Sequence, residues 1–144
     1  MDLLERARTL AACPLFAGLQ PAVVIRLAER ARPEALEAGE RRTTDDTVWI
    51  VGTGSLVIVS RAAAAIDASL STKRKRGGTA TPDHVLGLVR VIAPQTPAVE
   101  AIAERATMVV GLALDDLRDV LEEDPLALAA LADALARVLL QDAR

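Results

Sequence analysis

The sequence predicts an α+β chain in which an antiparallel β sandwich or barrel lies between helices, and three observations carry that reading. Apolar side chains repeat at helical spacing near both ends, and residues 34–114 break into short apolar segments separated by turn residues. The chain has 144 residues, of which 51% are hydrophobic, which is about the modal size of a domain with one core. Residues 1–144 are therefore read as a single domain.

Residues 2–12 place Leu3, Leu4, Ala7, Leu10 and Ala11 on one helical stripe, and Pro14 stops the pattern. After a tight connector, Gln20-Pro21 opens a second helix over 21–32 whose stripe is Val24, Leu27, Ala28 and Ala31; Pro33 ends it. The β region runs over about 34–114. Ala38-Gly39-Glu40 reads as a turn and Val48-Trp49-Ile50-Val51 as a buried strand, and Gly52-Thr53-Gly54 turns the chain into Ser55-Leu56-Val57-Ile58-Val59. Residues 62–70 fit a strand or a short helix equally. Lys73-Arg74-Lys75-Arg76 before two glycines reads as a solvated hairpin tip rather than a contact for nucleic acid or acidic lipid. The last two strands fall at 99–102 and 107–114. Asp115-Asp116 is expected to cap a helix over about 117–123, and Pro125 suits the first turn of a final helix over about 126–142.

Composition excludes several functions. Trp49 and Phe16 are the only aromatics and the net charge is −3, so the chain offers neither the stacking platforms nor the basic surface that nucleic acids need. With one histidine, His84, and one cysteine, Cys13, no metal site or nucleophile–base pair is legible, and Cys13 reads as a small buried hydrophobe. The acidic pairs sit at turns and helix ends, where capping accounts for them. No enzyme activity and no cofactor are implied. A chain with no signal peptide, no disulfide and no run long enough to cross a membrane is expected in the cytoplasm.

The stretch Asp83-His84-Val85-Leu86-Gly87-Leu88-Val89-Arg90, continuing through Ala93-Pro94-Gln95-Thr96-Pro97-Ala98-Val99, has a different texture. An apolar run ends in a glycine, a helical turn begins, and a proline-marked loop leads into a strand, which suits close backbone approach to an anion. This spacing resembles the phosphate-binding cassette of the cyclic nucleotide-binding domain family. Pro14-Leu15-Phe16-Ala17-Gly18-Leu19, followed by a helix, resembles the family's start. The resemblance implies an eight-stranded jelly roll with two helices before it and two after. It places a ligand against Gly87, Leu88, Val89, Arg90, Gln95 and Thr96. In the family, the residue after the glycine is a glutamate that holds the ribose, and an arginine after the proline pairs with the phosphate; here these are Leu88 and Gln95.

Each charge-assisted hydrogen bond contributes about 1.5–3 kcal/mol, so losing both removes about two to four powers of ten in affinity. Ordinary cAMP or cGMP binding is not expected. The implied function is a non-catalytic regulatory or interaction domain with a degenerate pocket. The alternative is a sensor of a cyclic nucleotide or another small anion through backbone amides and Arg90, an arginine otherwise read as facing solvent. No DNA-binding helix-turn-helix is expected. The strongly apolar final helix is expected to pair with a second copy or a partner protein.

Overall fold

The computed structural model describes residues 1–59 and 79–142; residues 62–70 and the basic run at 73–76 lie outside them. Helix α1 (Leu3–Ala12) opens on a capping box, in which Asp2 accepts from the Glu5 amide at 2.8 Å and Glu5 accepts from the Asp2 amide at 3.0 Å. A single 3-10 turn, Pro14–Phe16, leads to α2 (Pro21–Arg30), with Pro21 in its first turn. This helix ends at Arg30, short of the expected residue 32, because Arg32 and Pro33 already belong to β1 (Arg32–Leu36). A proline is tolerated there because β1 is an edge strand.

The roll continues through β2 (Arg41–Thr43), β3 (Thr47–Thr53), β4 (Leu56–Ile58), β5 (Thr79–Ala80) and β6 (Val85–Leu86). A one-turn helix, α3 (Val89–Ile92), precedes β7 (Glu100–Ala103) and β8 (Thr107–Ala113). The strands form two four-stranded antiparallel sheets, ordered β1-β8-β3-β6 and β2-β7-β4-β5, which is the jelly-roll plan.

Helix α4 spans Leu114–Glu122, beginning three residues earlier than the sequence suggests. Asp115 and Asp116 do not cap it: Ala113 holds the cap position with no side-chain bond, and the two carboxylates sit in the first turn, where they oppose the helix dipole's positive end. The helix begins where β8 stops because the Leu114 amide donates to Asp46 O at 2.8 Å. Helix α5 (Pro125–Asp142) follows, and the Asp124 carboxylate accepts from the Ala127 amide at 3.2 Å. No helix among the described residues is long and apolar enough to cross a membrane.

Alternation along β3 and β8 divides the interior in two. Val48, Ile50, Val110 and Leu112 pack against the helices, together with Leu10, Phe16, Leu27, Leu117 and Leu121. Trp49, Val51 and Val109 face the second sheet and meet Leu56, Ala80, Ala101 and Ala103. The first sheet is thus a middle layer, buried on both faces. Such strands read as continuous apolar runs, which is why residues 48–51 are so legible.

Trp49 needs a matching vacancy on its neighbour, and Gly111 lies directly opposite it in register. A Cβ built on Gly111 would stand 2.7 Å from Trp49 Cζ3 and 3.1 Å from Cη2. Gly111→Ala should therefore cost about 1–3 kcal/mol in urea unfolding, the range for overpacking a filled site. In a Trp49→Phe background, which lacks the outer ring, the same substitution should cost clearly less. Equal costs in the two backgrounds would show that the indole does not require this glycine.

Candidate ligand cassette

The loop from β6 to β7 is fixed at its two ends by one buried threonine. Thr44, 1% exposed, lies between β2 and β3. Its amide donates to Val99 O at 2.9 Å, and its hydroxyl accepts from the Val99 amide at 2.8 Å. Gly87 turns with φ +89°, and a Cβ there would lie 2.8 Å from Thr44 Cβ and 2.9 Å from Cγ2. Only glycine satisfies both the left-handed backbone and this approach. Thr44 gave no signal in the sequence because the polar run Thr43-Thr44-Asp45-Asp46 reads as an ordinary turn.

Beyond Gly87 the cassette residues separate. Leu88 is fully buried, and its side chain joins the core beneath the helices rather than the space between the sheets. Val89 is half-buried against the same core. Gln95 is exposed and Thr96 half-buried.

Arg90 does not face solvent. It is half-buried, with one Nη donating to Thr96 O and the other to Asp45 O at 3.0 Å, while Nε is buried with no partner. Its own carbonyl accepts from Arg118 Nη2 of α4 at 3.2 Å. The guanidinium therefore ties the loop to the β2–β3 turn, and Arg118 ties the cassette turn to the helical layer. Neither Asp45 nor Arg118 is singled out by any spacing in the sequence.

Between the sheets, where this topology encloses its interior, the space next to Leu86 and Val99 holds Leu36, Trp49, Leu56 and Ile58. Arg42 of the second sheet donates to Glu34 at 2.9 and 3.2 Å and sits 6.0 Å from the Trp49 ring centre. Trp49 Nε1 donates to Thr43 O at 2.7 Å.

His84 is buried, and its Nδ1 accepts from the Thr81 amide at 2.9 Å, a turn-closing role. Cys13 is buried, with its thiol donating to Thr9 O at 3.4 Å. Burial, with the Asp83 charge added, pushes that thiol up to about 12, as befits a packed hydrophobe. Among the described residues, no group of three or more His, Cys, Asp or Glu side chains is placed to hold a metal ion.

No family model matches the sequence, and no curated protein matches it. Solved structures do match. The N-terminal domain of a transcriptional regulator from Streptomyces coelicolor is 20% identical with TM-score 0.69, covering 92% of this chain and 91% of that one. A cyclic nucleotide-binding-like protein from Brucella abortus is 24% identical with TM-score 0.58, covering 81% of this chain and 97% of that one. The regulatory subunit of a cAMP-independent protein kinase A from Trypanosoma brucei is 17% identical with TM-score 0.67, covering 94% of this chain and 47% of that one. At these identities the likeness is one of fold.

The burial of Leu88 makes restoring a glutamate there unproductive. Leu88→Ala should cost about 2–5 kcal/mol. Leu88→Glu should cost more at pH 7, because an unpaired carboxylate would enter an apolar core. Burial would raise that carboxyl's folded pKa, so the added cost should be absent below the unfolded value of about 4 and grow as pH rises above it. A Leu88→Glu protein as stable as wild type at pH 7 would mean that this side chain turns out of the core.

Proposed function

From a fold shared with cyclic nucleotide-binding proteins, we propose that this chain is a single, non-catalytic regulatory domain whose cassette is closed by its own side chains. It works in the cytoplasm through protein contacts. The observation that carries this reading is the fastening of the cassette: Thr44 fills the space against Gly87, and Arg90 spends both terminal nitrogens on Thr96 O and Asp45 O. A cyclic nucleotide would have to displace these groups and open the apolar interior around Leu36 and Ile58. Leu88 and Gln95 offer no charge in return. The sensor alternative needs Arg90 turned toward a ligand, and its two carbonyl partners speak against that.

Helix α5 supports the protein-contact role. Ala127, Leu131 and Leu135 bury one side of it, while Leu126 and Leu140, on the opposite side, remain 76% and 67% exposed. We assign this outer face to a second copy of the chain or to a partner protein.

Two measurements test the proposal. Any ligand that binds only the folded state raises the Tm, so cAMP and cGMP at about 1 mM should leave it unchanged. A saturable rise at micromolar concentrations would replace this reading with the sensor. Light scattering of the isolated chain should show a concentration-dependent dimer that Leu126→Glu with Leu140→Glu abolishes. A monomer at all concentrations would remove self-association and leave only a different partner for this face.

A further inference from the structure

A hollow on the inward face of the first sheet is not explained by the cassette. It is an open hollow of about 350 Å³, within the size range of small-molecule sites, about 300–1,000 Å³. It exists because the strand at its floor, β8, carries Gly111 and Ala113, while Arg32 and Glu34 of β1 wall one side and Thr47 and Trp49 of β3 the other. Arg32, Gly111 and Trp49 occupy one row across three strands. Neighbouring strands lie about 4.8 Å apart, so the cation and the indole stand on backbones about 10 Å apart, with the outer ring of the indole leaning over Gly111 between them. Arg30 and Asp116 close the end nearest the helices.

The lining carries two charges of each sign, and their pairing is incomplete. Glu34 takes both of its hydrogen bonds from Arg42 on Oε1, so Oε2 keeps its acceptor capacity. The Asp116 carboxylate meets Arg30 only at 3.6 Å, beyond hydrogen-bond length. Arg32 makes no ion pair or hydrogen bond among the described residues. A bare anion would meet two carboxylates and a bare cation two guanidiniums; a ligand carrying both charges meets neither problem. Arg32 and Glu34 are two positions apart on one strand, so they share a face with their roots about 7 Å apart.

We propose that this hollow binds a zwitterionic α-amino acid with an apolar side chain. Its carboxylate pairs with Arg32 and its ammonium with Glu34 Oε2, and its side chain lies against the indole of Trp49. The site is independent of the cassette and of its closure.

Trp49 is the only tryptophan, so the emission comes from a single side chain, one that lines this site. L-leucine and L-phenylalanine should change that emission saturably, with half-saturation near about 1 mM. N-acetyl-L-leucine, which lacks the ammonium, and L-leucinamide, which lacks the carboxylate, should each bind about tenfold or more weaker, the loss expected for one charge-assisted bond. Arg32→Gln should erase the preference for leucine over leucinamide, and Glu34→Gln the preference for leucine over N-acetylleucine, both with thermal unfolding close to wild type. Arg90→Ala should leave the titration as it is. The proposal is overturned by the absence of a saturable change up to about 10 mM of either amino acid, by equal binding of the blocked compounds, or by an Arg32→Gln protein that still prefers leucine to leucinamide.

Discussion

The contact of Gly87 with Thr44 is the constraint on which the cassette depends. One buried threonine holds Val99 through both its amide and its hydroxyl, and its methyl fills the place where any other residue at 87 would put a Cβ. The start and the end of the loop are thereby fixed to the connector between β2 and β3. The next residue along that connector, Asp45, offers the carbonyl that receives Arg90. A break at Thr44 would leave a buried amide and a buried carbonyl at Val99 without partners, and the loop would lose both its anchor and its shape.

The interior between the sheets lies next to this anchor. Small residues, Ala80, Ala101 and Ala103, let the second sheet approach, and Leu36, Leu56, Ile58 and Trp49 pack between the sheets. Native interiors pack to the density of organic crystals, so a side chain gained there removes room for anything else. The charged groups are driven to the rim, where Arg42 bridges to Glu34 and Glu40 and covers the indole. Exposed pairs of this kind add little stability, and their effect is to set which surfaces remain polar.

Much of the fold was legible because it rests on patterns with a fixed period. The stripes of α1 and α2, the run Val48-Trp49-Ile50-Val51 and the turns around Gly39 and Gly54 appear in the structure near where spacing puts them. Boundaries were legible only where local chemistry sets them. At Arg32-Pro33 the sheet claims residues that helical periodicity would keep, and at Leu114 an amide bond to Asp46 starts a helix before the carboxylates that look like its cap. The cassette was legible as backbone, through Gly87 and the helical turn after it, but not as chemistry. The direction of Leu88 depends on a core built from other elements, and Arg90 is held by the Asp45 carbonyl 45 positions away and by Arg118, a donor to its own carbonyl, 28 positions away, none of which spacing encodes.

Arg118 binds the carbonyl of Arg90, so the cassette turn, its latch and the helix leading to α5 form one mechanically continuous unit. In a domain that waits for a ligand, ordering such a unit is the message, because binding and ordering happen together. If the cassette is closed as proposed, the ordering is completed during folding, and its entropic cost is already part of the folding free energy. An equilibrium can be shifted only by a ligand that distinguishes its two states, and a loop with one occupied state has no second setting to report. Under the proposed function, a domain built this way would report through how much of it is present and through what meets its outer helix, which would make synthesis and degradation the natural controls over its signal.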